Sequence, residues 1–117
     1  MKDATNILER IEDIVNRDVR YKLDAYNFVL EALNCTVSRR RVRRHITGKE
    51  LLEEIKQYAK AQFGPMALSV FEHWGVSSTE DFGHIVFNLV NARILNKTEQ
   101  DSIEDFKNGY DFKEVFS

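Results

Sequence analysis

The sequence predicts a mainly α fold, a compact helical domain, on three observations. Apolar residues recur at three- and four-residue intervals over several stretches. Helix-start and helix-stop residues bracket those stretches, and a single proline in 117 residues leaves few breakers. Within this class, two successive helices read as a helix-turn-helix-like pair, and short strands flanking them would make the fold winged-helix-like. A chain of this length is one domain, able to bury roughly two thirds of the surface that its unfolded form exposes.

The first element follows from Ile7, Leu8, Ile11, Ile14 and Val15, which form one stripe of a helix from about Ala4 to Arg17. Residues 1–18 are read as an N-terminal amphipathic helix or arm ahead of a single globular domain over 19–117. A narrow stripe at a chain end predicts the least firmly held element, one whose deletion leaves a folded domain. A second helix runs from about Leu23 to Leu33, with Tyr26, Phe28, Val29, Leu30 and Leu33 on a broad apolar face. Periodicity then stops. From Cys35 to Ile46, β-branched Thr36, Val37, Val42 and Ile46 stand among arginines, which predicts a loop or one short strand.

Thr47 to Glu50 has the T-x-x-E form of a capping box and opens a third helix. Leu51, Leu52, Ile55, Tyr58, Ala59 and Phe63 are its buried side, and Gly64-Pro65 ends it. Met66 to Trp74 forms a fourth helix stopped by Gly75, and Ser77 to Asp81 caps a fifth that carries Phe82, Ile85, Val86, Leu89 and Val90 toward the core. The W-G-V-S-S link between these two is the helix-turn-helix signal, with I-L-N-K-T from Ile94 as the first strand of a wing. Thr98 to Asp101 reads as another helix start, and Asn108-Gly109 as a turn. The tail from Thr98 to Ser117 holds six acids, two lysines and the aromatics Phe106, Tyr110, Phe112 and Phe116. Aromatics at that density predict a docked segment.

The blocks R-R-H-I-T-G-K-E-L-L-E-E-I (Arg43 to Ile55), Q-F-G-P-M-A (Gln62 to Ala67), H-W-G-V (His73 to Val76), E-D-F-G-H-I-V-F-N-L-V (Glu80 to Val90) and D-F-K-N-G-Y-D-F (Asp105 to Phe112) resemble, in that order, the Minf-type family of bacterial proteins. The resemblance spans about Tyr21 to Phe116. It implies a bacterial, cytoplasmic protein and carries no activity, cofactor or catalytic residue with it.

No stretch approaches the roughly eighteen apolar residues of a membrane span. Glu9, Arg10, Glu12 and Asp13 break the apolar run that a signal peptide needs. A lone Cys35 excludes an internal disulfide and fits a reducing compartment, so the expected location is cytoplasmic with no membrane partner.

Few residues point to chemistry. No G-x-S-x-G, P-loop or dinucleotide fingerprint occurs, and the expectation is a protein without enzymatic activity or cofactor. Asp81-Phe82-Gly83 matches the kinase magnesium triplet by accident, since no other kinase motif accompanies it. The bland reading places Asp81 in a helix's first turn and makes Gly83 a close-packing position, with Trp74 as its expected neighbour. His45, His73 and His84 lack the local spacing of a metal site, so none is expected. Glu53, Glu54, Glu72, Glu80 and Asp81 all fit a solvated helix face, and no acid–base pair can be singled out. Cys35 lies near the arginines, but buried filler is the expected role.

The one concentrated feature is S-R-R-R-V-R-R-H, which puts five arginines into six positions. Without Arg39, Arg40, Arg41, Arg43 and Arg44, twelve basic residues face nineteen acidic ones, in a chain whose net charge is −2. The fifth helix is a poor DNA reader, because it offers Glu80, Asp81, His84, Asn88 and Asn91, with Arg93 alone at its end. The expected function is an interaction module that binds RNA or a ribonucleoprotein through those five arginines. The alternative is a protein-binding adaptor whose arginines pair with its own acidic C-terminal segment, through Asp101, Glu104, Asp105 or Asp111.

Overall fold

The structure is a computed structural model that describes residues 4–40, 46–96 and 101–116, with residues 4–6 and 40 as backbone only. It is mainly helical. Among the described residues six α-helices follow in chain order: α1 (Ala4–Arg17), α2 (Leu23–Arg40), α3 (Gly48–Phe63), α4 (Ala67–Trp74), α5 (Thr79–Asn91) and α6 (Phe112–Phe116). Short 3₁₀ turns at Gly64–Met66 and Ile103–Phe106 complete the set.

Among the described residues there is no strand. Two expectations are thereby corrected. The stretch from Cys35 onward continues α2 as far as Arg40 instead of becoming a loop or strand, while residues 41–45 lie outside the described residues. Ile94 and Leu95 form bends after α5 instead of opening a wing. The helix tolerates Thr36 because its hydroxyl donates to the Ala32 carbonyl at 2.9 Å, one turn back, so the buried side chain needs no other partner.

The capping signals act as their chemistry requires. Thr47 accepts from the Glu50 amide and the Glu50 carboxylate accepts from the Thr47 amide, closing the box that starts α3. On α5 the Asp81 carboxylate accepts from the Ser78 amide, the reciprocal half of such a box, and the Asp81 amide donates to the Ser78 carbonyl. Gly75 stops α4 at φ 86°, and a Cβ there would lie 2.2 Å from the Arg20 carbonyl oxygen, so only glycine fits. The same junction is tied by the Lys22 amide donating to Trp74 O at 3.1 Å.

One core runs through the molecule. Phe71 sits at its centre, with ring centroids 5.5 Å from Phe28, 5.4 Å from Phe82, 5.6 Å from Phe112 and 5.1 Å from Phe116. The acidic tail is docked, with Phe106, Phe112 and Phe116 all buried. Ile11 and Ile14 of α1 belong to the same core. Gly83 is indeed a close-packing position, but its neighbours are Phe106 and Ile103 of the tail, not Trp74; a Cβ would lie 2.7 Å from Phe106 Cβ.

Candidate functional site

The arginine run begins inside α2. Arg39 stands in the last turn of that helix with 61% of its side chain exposed, and its guanidinium pairs with Glu54 of α3. That hydrogen bond raises the already high pKa of the guanidinium. Cations at a helix C-terminus are favoured by the carbonyl ends gathered there. Arg40 closes the helix. Arg41, Arg43, Arg44 and His45 lie outside the described residues.

What sequence reasoning missed is the cavity at the foot of this segment. Val37, just before the arginines, and Ile46, just after them, line one space of about 210 Å³. Leu33, Leu51, Phe87 and Phe106 supply more of its apolar wall, and Asn96, Asp101 and Asp105 its polar part. Its volume is below the roughly 300 Å³ at which small-molecule pockets begin. It suits a side chain better than a cofactor. The lining residues come from α2, α3, α5 and the tail, so no local spacing announced them. The only trace was Leu33 and Val37 at i, i+4, which becomes meaningful once α2 is known to continue past Cys35.

A second polar constellation joins the α1–α2 link to α5. Arg20 grips Asp18 through Nε and Nη2 at 2.9 and 2.6 Å, and Asn88 Nδ2 donates to Asp18 Oδ2 at 2.9 Å and to the Tyr26 hydroxyl at 3.0 Å. Tyr21 donates to Asp81 Oδ1 at 2.5 Å, while Asp81 Oδ2 accepts from the Ser77 and Ser78 amides. The Arg20 hydrogen bonds hold the Asp18 carboxyl well below the usual carboxylate range. Burial, then the bond to Asp81, pushes the Tyr21 phenol up, and burial does the same for Tyr26. These groups are frozen in one protonation state near neutrality. That suits a latch between elements and not proton transfer.

The remaining candidates scatter. His73 ends α4 in solvent, and His84 Nε2 lies 4.0 Å from Glu80 Oε2 on the surface of α5. Cys35 is exposed, which corrects the expectation of buried filler: it falls on the outward side of the extended α2. Among the described residues, no three His, Cys, Asp or Glu side chains converge as a metal site would need. Among the same residues, no helix is long and apolar enough to cross a membrane.

Comparison with protein-family models, with curated proteins and with solved structures finds no match. The site is therefore read from its own geometry.

Proposed function

We propose that the protein is an interaction module that binds a phosphate-rich partner, RNA or a ribonucleoprotein, through Arg39, Arg40, Arg41, Arg43 and Arg44. The observation that carries this reading is Arg39: it projects from a helix C-terminus into water, where its guanidinium pairs with the half-buried Glu54. The guanidinium end of that pair is exposed and screened by water, so a phosphate competes with Glu54 for it. Five guanidinium groups in six positions repel one another, and phosphates relieve that repulsion.

The helix-turn-helix-like reading of α4 and α5 does not supply the contact surface. Asp81 is engaged in capping, Asn88 in the latch to Asp18, and the side of α5 at Gly83 is covered by the Ile103–Phe106 turn. An arginine segment without a reading helix beside it grips phosphates and leaves base edges unread. Binding is therefore weak and indifferent to sequence.

The competing reading, an adaptor whose arginines pair with its own acidic tail, predicts tail carboxylates as partners. Among the described residues, Arg39 pairs with Glu54 of α3 and Glu104 of the tail with Lys107, while Asp101 has contacts of its own and Arg41, Arg43 and Arg44 lie outside the described residues. Electrophoretic mobility and fluorescence anisotropy with single-stranded RNA at several salt concentrations separate the two. Neutralising about four phosphates gives a slope of log K against log salt on the order of −3 to −4. Changing the five arginines together to glutamine abolishes binding and leaves the melting temperature nearly unchanged. No binding by the parent protein at low salt, with a large loss of stability in the variant, favours the adaptor.

A further inference from the structure

A second cavity, of about 300 Å³ and sharing no lining residue with the first, opens between α2, α3 and the end of α4. Four aromatic rings line it: Phe28, Tyr58, Phe63 and Trp74. Phe28 is the hub, with centroids 5.4 Å from Tyr58, 5.6 Å from Phe63 and 5.5 Å from Trp74. Asp24, Phe28 and Glu31 follow at intervals of four and three residues, so α2 presents two carboxylates and a ring on one stripe. The Tyr58 hydroxyl donates to Glu31 Oε2 at 3.1 Å, which ties that carboxylate to the aromatic wall. Among the described residues, no lysine, arginine or histidine lines the space.

This combination selects a ligand class. Aromatic faces carry negative potential, and the two carboxylates add formal charge without a countercharge in the lining. Asn27 and Gln62 share the lining with the carboxylates, and where the wall is ring a metal ion or a primary ammonium would have to shed strongly held water. A methylated ammonium carries its charge beneath apolar carbon and meets rings and carboxylates at once. The volume lies at the small end of the roughly 300–1,000 Å³ range for ligand pockets, enough for a headgroup and not for a large cofactor. We propose that this pocket binds a quaternary ammonium group, carried either by a choline-type headgroup or by a trimethylated lysine side chain.

Trp74 is the single tryptophan of the chain and lines the pocket, so its fluorescence reports this site. The full-length protein is titrated with choline chloride in one arm and free Nε-trimethyllysine in another. Sodium chloride at matched ionic strength and dimethylbutanol, the uncharged carbon isostere of choline, serve as controls. The expected result is a saturable change with at least one of the two cations, none with sodium chloride, and an affinity for the isostere lower by about fivefold or more. The tighter of the two cations names the source of the group. The double variant Asp24→Asn, Glu31→Gln, at two exposed positions, binds about fivefold more weakly while keeping its melting temperature. Nuclear Overhauser contacts from the ligand methyl protons to the Trp74 and Tyr58 rings locate the site in the unaltered protein. No saturable response to either cation, equal affinity for the isostere, or unchanged affinity in the double variant overturns the proposal.

Discussion

The N-terminal helix lays Ile11 and Ile14 against α2 and α5, whereas the C-terminal segment presses Phe106 into a notch that α5 leaves open at Gly83. Helix α1 and the Ile103–Phe106 turn thus close on the same helix, α5. The N-terminal contact is a stripe, held by apolar area and by polar links at its edge: Arg10 to the Ala92 carbonyl and, just beyond the helix, Asp18 to Asn88. The C-terminal contact is a key. Its four-residue turn is too short to own a stripe, and beside its own turn hydrogen bonds it is tied to the core by side-chain bonds that run in both directions. Thr79 donates to the Phe106 carbonyl at 2.6 Å and accepts from the Gly109 amide at 3.1 Å, and Tyr110 donates to the Leu52 carbonyl at 2.8 Å. An irregular segment is thus held as closely as a helix when its ring has a fitted recess and its polar groups have partners.

If the key depends on shape more than the stripe does, truncating Phe106 should do the greater damage. Phe106→Ala leaves a void beside Gly83 that the flanking hydrogen bonds prevent from collapsing, and a loss of about 3–5 kcal/mol is expected in urea unfolding. Ile14→Ala removes a side chain near the edge of the core, where α1 can settle, so about 2 kcal/mol is expected. Equal losses in the two variants would erase the distinction drawn here.

Filling the notch tests the same idea from the other side. Gly83→Leu drives new atoms into Phe106 and Ile103, and overpacking of that kind costs about 1–3 kcal/mol, seen as a lower melting temperature. An unchanged midpoint would mean that the tail does not occupy the recess in solution.

The smallest effect belongs to the polar edge of the stripe and depends on pH. The folded pKa of Asp18 lies below its unfolded value, so between the two the unfolded chain holds more protons. The stabilisation from Asp18 is complete above about pH 4 and is lost as pH falls through the folded value. Because Arg20 is half exposed and water screens its end of the pair, Asp18→Asn is expected to cost about 1 kcal/mol at neutrality. It should also flatten the acid side of the stability profile measured by thermal unfolding between neutral pH and about pH 2. A profile as steep as that of the parent protein would assign acid lability to other carboxylates.

Much of this architecture was written in local pattern. The stripe of α1, the Thr47–Glu50 box, the stops at Gly64 and Gly75 and the start of α5 all depend on residues within one or two turns of each other, and the structure agrees with each. The tail's aromatics announced docking for the same reason: rings at that density have no stable place in water. Where local pattern failed, a distant element had supplied the missing partner. Residues 35–40 lack helical periodicity, yet α2 runs on through them, with Thr36 satisfied one turn back and Val37 facing a cavity built from α3, α5 and the tail. The recess at Gly83 was legible as a recess, but the ring that fills it arrives from residue 106, not from Trp74. Each cavity shows in the sequence only as a few residues on one stripe of α2, since its other walls come from residues far away in the chain. Composition and short-range spacing determined that this protein is helical, where most helices begin and end, and where its positive charge is gathered. Which surfaces meet, and what space is left between them, was decided only when the helices packed, because side-chain shape acts through contacts that sequence distance does not encode.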